Sequence, residues 1–64
     1  MNDVLLEDIT VKTKPEWINW ARSRIKELLT THHRFSVSSP DLLQIIIVDH
    51  QDRVSYRCTM EQES

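Results

Sequence analysis

Two periodicities divide the chain. From about Pro15 to about Thr31, apolar residues recur at helical spacing, with Ile18, Ala21, Ile25 and Leu28 in a 3-4-3 pattern. At about 100° per residue, Trp17, Ile18, Trp20, Ala21, Ile25, Leu28 and Leu29 fall on one broad side and Asn19, Ser23, Lys26, Glu27 and Thr30 fall opposite. The pattern predicts an amphipathic helix whose Ile18/Ala21/Ile25/Leu28 seam faces a sheet or another helix. Thr13-Lys14-Pro15-Glu16 has the spacing of a capping box, in which the threonine hydroxyl takes a free first-turn amide and Glu16 reaches back. Pro15 is tolerated there because first-turn amides have no intrahelical partner. Thr30-Thr31-His32-His33 marks the end, with imidazoles at the negative end of the helix dipole.

The second periodicity is two. Arg53 to Met60 alternates, with Val54, Tyr56, Cys58 and Met60 on one face and Arg53, Ser55, Arg57 and Thr59 on the other, which predicts a strand with one wet face. Asp49-His50-Gln51-Asp52 before it is turn material, and Leu42 to Val48 before that is rich in β-branched residues and apolar on both faces. A strand apolar on both faces belongs in the middle of a sheet or under a cover. Val4 to Val11 reads best as a strand with Leu5, Ile9 and Val11 in phase, although Leu5, Leu6 and Ile9 also suit a short helix capped by Asn2 or Asp3. Phe35-Ser36-Val37 reads as a short strand.

Residues 40–48 admit two readings. Ser39-Pro40-Asp41 is a good helix start, and a helix would gather Leu42, Leu43, Ile46 and Ile47 into a stripe. Four consecutive β-branched residues, Ile45 to Val48, favour the strand. The expected fold is a small α+β domain over residues 1–64, β-α-β-β. One amphipathic helix packs on a three- or four-stranded sheet, with residues 35–37 as the optional strand.

Composition sets the limits. With 64 residues the chain supports one domain whose core is marginal without added support. Cys58 is the only cysteine, so no disulfide forms within the chain, and a lone thiol fits a reducing, cytoplasmic setting. No apolar run is long enough to span a bilayer, and Met1-Asn2-Asp3-Val4 lacks the order of a secretion signal. There is no glycine, which excludes the phosphate-cradling loops of dinucleotide and P-loop folds. The net charge of −2 conceals an uneven spread: −3 over residues 1–11, +4 over residues 12–34 and −3 over residues 35–64. A basic middle suits either a solvated helix face or an anionic partner.

Candidate chemistry is sparse. His32, His33, His50 and Cys58 are potential ligands, but their spacing matches no zinc pattern, so neither metal nor cofactor is expected. Cys58 lies on the apolar face of its strand and reads as a core thiol, not a nucleophile. Asp49 and Asp52 flank a turn, where aspartate serves local hydrogen bonds. No enzyme activity is expected.

Trp20 and Arg24, one helical turn apart, and Arg53 and Arg57 are the residue types that dominate protein interfaces, and they are the expected partner-binding set. Ile46 and Val48, on the sheet face away from the helix, are the expected homodimer contact. The reading is a small non-enzymatic regulator that docks on a protein partner, by analogy with the size and style of phage- or plasmid-encoded inhibitors. The stretch Phe35-Ser-Val-Ser-Ser-Pro-Asp-Leu-Leu43 resembles the opening of a winged-helix domain. That resemblance implies an alternative: a nucleic-acid-binding module using the basic segment with Arg53 and Arg57. A recognition helix between the second helix and the wing has no room here, and the pI of about 5.8 speaks against DNA.

Overall fold

A computed structural model describes residues 4–61. Strand β1 (Val4–Val11) leads into helix α1 (Lys14–Thr30), followed by β2 (Phe35–Ser38), β3 (Gln44–Asp49) and β4 (Val54–Met60). The four strands form one mixed sheet in the order β1-β4-β3-β2, with β1 parallel to β4 and the other pairs antiparallel. The chain is a small α+β domain with one helix on a four-stranded sheet, and residues 35–38 supply the optional strand. The alternative caps for a first helix, Asn2 and Asp3, lie outside the described residues; Val4–Val11 is strand.

The ambiguous segment resolves as strand. Residues 42 and 43 are turn, Ser39 Oγ donates to the carbonyls of Asp41 and Gln44, and β3 then pairs on both sides, with β2 and with β4. A central strand needs apolar residues on both faces, which explains why this segment lacks a clean alternation. The helix-turn-helix of the winged-helix resemblance is therefore absent.

The helix ends follow local chemistry. Thr13 is the N-cap; its Oγ1 accepts from the Glu16 amide at 3.4 Å and donates to Glu16 Oε1 at 2.8 Å. Glu16 thus reaches back to the cap hydroxyl. At the other end His33 N donates to Leu28 O and His32 N to Leu29 O, the paired bonds of a Schellman stop. His32 sits at φ 58°, a left-handed position usually given to glycine and filled here by histidine in a chain with no glycine.

Register assigns the faces. Asp49, Ile47 and Ile45 lie opposite Val54, Tyr56 and Cys58, and these share the helix side with Glu7, Ile9 and Val11. Ile47 and Cys58 are fully buried, and Ala21 and Leu28 on the helix are buried with them. Trp17 Nε1 donates to the Cys58 carbonyl at 3.1 Å, which fixes the helix across the sheet.

Two expectations change. Leu5 is out of phase with Ile9, because a bulge between Leu5 and Glu7 inserts Leu6 without a partner, leaving Leu5 opposite Ser55 and Ile9 opposite Cys58. The helix keeps its expected side toward the sheet, with Ala21 and Leu28 buried and Trp17 and Ile25 half-buried, but Ile18 is 38% exposed. On the other flank Glu7, brought to the helix side, binds both Trp20 and Arg24 and ties the helix to β1.

Candidate interaction surfaces

Glu7 is the centre of the β1–α1 junction. Its Oε1 accepts from Trp20 Nε1 at 2.5 Å and Arg24 Nε at 3.1 Å, and its Oε2 accepts from Arg24 Nη2 at 2.7 Å. The guanidinium also lies 5.0 Å from the centroid of the Tyr56 ring and bonds Glu27 one turn on. The Arg24 guanidinium holds the Glu7 carboxyl below the usual carboxylate range; burial opposes this and the Trp20 indole assists it. Trp20 and Arg24 thus spend much of their polar capacity inside the molecule, a cross-element pairing that helical spacing alone does not reveal.

The expected partner-binding residues do not share one surface. Trp20 and Arg24 are on the helix side. Arg57 is on the opposite sheet face, where it forms a two-point pair with Asp8 through Nε at 3.0 Å and Nη2. Arg53 occupies the β3–β4 turn at φ 56°, a left-handed position. Ile46 and Val48 do point away from the helix. Val48 lies between Ser36 and Ser55, and Ile46 between Ser38 and Arg57, so this face is an apolar island two side chains wide among hydroxyls and an ion pair.

A polar cluster closes the β3–β4 hairpin: the local hydrogen bonding expected of an aspartate at this turn is made by Asp49, and His33 joins it from outside the hairpin. Asp49, 1% exposed, accepts from the amides of Gln51 and Asp52 on Oδ1 and contacts His33 Nδ1 at 2.9 Å on Oδ2. Burial pushes its carboxyl up, but the bonds from His33, Asp52 and Gln51 outweigh this and hold it low. His33, Asp49 and Asp52 offer three donor atoms within 4.8 Å of one another. Both Asp49 oxygens are already engaged, so hairpin closure accounts for the grouping. The pairing of Phe35 with Asp49 and the bond from His50 N to Arg34 O bring His33 to this turn, and both follow from the tertiary fold. Cys58 is buried and its thiol is pushed up by burial and by the Glu7 charge, the opposite of an activated nucleophile.

Two surfaces carry a recess. The first is the outer edge of β1. Val4 N donates to Arg53 O, and Val11 O accepts from Glu61 N. In a parallel ladder, bonding residues alternate, so Glu7, Ile9 and Val11 face β4 while the backbone groups of Asp8 and Thr10 turn to the free edge. Beside that edge runs a groove of about 490 Å³ lined by Ile9, Val11, Asn19, Trp20 and Ser23, with Glu16 and Arg24 at its margins. The second surface is the other flank of α1. Ile25 and Leu29, with Arg22, Lys26 and Thr30, line a recess of about 370 Å³.

Comparison with protein-family models, with curated proteins and with solved structures finds no match. Among the described residues no helix is long and apolar enough to cross a membrane.

Proposed function

We propose that this protein is a small non-enzymatic docking module that captures an extended segment of a protein partner along the outer edge of β1. The observation that carries the reading is the juxtaposition of a free strand edge with a groove holding Trp20. Edge strands attract pairing, and proteins usually blunt them with charges and bulges. The first half of β1 has both, in the Leu6 bulge and in Glu7 and Asp8. Its second half, Ile9-Thr10-Val11, is regular.

An added strand would bond the outward backbone of Asp8 and Thr10, and every second side chain would enter the groove between Ile9, Val11 and Trp20. Backbone bonds then supply affinity and the groove supplies selectivity. The reading keeps Trp20 and Arg24 in the site, Trp20 as groove wall and Arg24 as the clamp that fixes it through Glu7. It places Arg53 and Arg57 outside. A regulator or inhibitor role of the phage or plasmid kind is one use of such a module.

The test is a displayed library of random peptides selected on the immobilised protein. Thr10→Pro removes one outward amide and leaves the β4 ladder intact; Ser23→Trp fills the groove from an exposed helix position. Selected peptides should lose binding to both folded variants and shift the amide resonances of residues 8–11 and 19–23. Binders that map elsewhere and tolerate both variants would refute the reading. Pairing of two copies through Ile46 and Val48 would leave this edge free, and sedimentation at micromolar concentration measures it separately.

A further inference from the structure

We infer that the opposite flank of α1 is a second docking site, built for an acidic amphipathic helix of a partner protein. It does not depend on the β1-edge reading. The first ground is space. Four strands at about 4.8 Å spacing put the outer strand axes about 14 Å apart, whereas a helix with its side chains is about 10 Å across. The helix packs on β4, β3 and β1, and has no comparable contact with β2. The helix side of β2 therefore lies open. Phe35 and Val37 are on that side, being opposite Asp49 and Ile47, and Val37 is 48% exposed.

The second ground is the chemistry of the flanking wall. Ile18, Ile25 and Leu29 lie about 140° round the helix from Trp20 and Arg24 at 100° per residue. Trp20 and Arg24 are held on β1, so these three face the β2 side. Leu29 is 60% exposed. Phe35 and Val37 lie on the same side of the sheet, so an apolar strip is left over β2 where a second helix would sit in a complete two-layer domain; the recess beside it is lined from α1 alone.

Charge chooses the occupant. Arg22 and Lys26 stand on the outer margin of this row and line the recess with Ile25 and Leu29. Neither has an ion pair among the described residues. By contrast Glu7, Asp8, Glu27, Asp49 and Asp52 are all engaged with Arg24, Arg57 or His33. A second copy pairing α1 with α1 about a twofold axis would bring Arg22 and Lys26 against their own equivalents, which costs energy. An acidic helix with apolar residues at i, i+3, i+4 and i+7 satisfies both the apolar strip and its basic margin.

The experiment uses a fluorescent acidic amphipathic peptide of about 18 residues, long enough to be helical when bound, with leucines at that spacing and glutamates beside them. Titrated against the full chain, it should bind saturably and shift residues 18, 25, 29, 35 and 37. The double reversal Arg22→Glu with Lys26→Glu sits at exposed positions and should keep the fold. It should weaken binding about tenfold or more, and a lysine version of the peptide should recover affinity for the reversed protein. Leu29→Ser should weaken both pairings. Thr10→Pro should leave the titration unchanged, which separates this site from the β1 edge. Absence of saturable binding, or no recovery by the lysine peptide, would overturn the inference. So would a preference for phosphatidylglycerol vesicles or duplex DNA that the same reversal abolishes; for DNA the affinity would fall steeply with salt.

Discussion

Replacing Glu7 by glutamine tests the link on which the helix orientation rests. The glutamine keeps one acceptor oxygen for Trp20 but loses the two-point pair to Arg24, now made at 3.1 and 2.7 Å. Hydrogen bonds to charged groups contribute about 1.5–3 kcal/mol each when shielded, and exposed ion pairs about 0–1 kcal/mol. The two side chains are 29% and 27% exposed, so solvent screens part of the interaction. A net loss of about 2 kcal/mol follows from these limits. For a domain of this size that is a fall in Tm of about 8–16 °C. Urea unfolding followed by tryptophan fluorescence measures it. A cycle with Arg24→Met isolates the pair.

The pH dependence gives an independent check. The folded Glu7 carboxyl lies below its unfolded value, so its contribution is present above the unfolded pKa and is lost as pH falls through the folded one. The stability gap between wild type and Glu7→Gln should therefore close below about pH 4. A loss under about 0.5 kcal/mol, or a gap that persists in acid, would refute the argument.

Asp49→Ala should cost about 3 kcal/mol, because it removes three hydrogen bonds from a buried charged acceptor and leaves His33 and two turn amides without it; equilibrium unfolding that matches wild type would contradict the hairpin lock. His32→Gly should stabilise by about 1 kcal/mol by relieving the left-handed backbone at φ 58°, read as a higher Tm. Native Cys58 should resist a thiol reagent until the protein unfolds, since it is fully buried and its thiol is pushed up. Thermal unfolding with and without a strong chelator should coincide, because both Asp49 oxygens are taken by protein donors.

The sequence determined the elements whose signals are local. Helix α1 is legible from its capping box and 3.6-residue period, and β4 from strict alternation, because caps and pleats act over a few neighbouring residues. The run Ile45–Val48 marked a strand buried on both sides, and it lies in the middle of the sheet. The buried thiol of Cys58 followed from its phase in β4. Other features depend on distant residues meeting. The parallel pairing of β1 with β4 joins the two ends of the fold, and no local pattern encodes it. The Leu6 bulge reverses the phase of Leu5, and only then does Glu7 face the helix. That carboxylate captures Trp20 and Arg24, residues whose types marked them as a partner surface, and ties that flank of α1 to β1. A helix with a broad apolar side can pack at several rotations, and a polar anchor from a distant strand is the kind of contact that selects one, which no local pattern reveals.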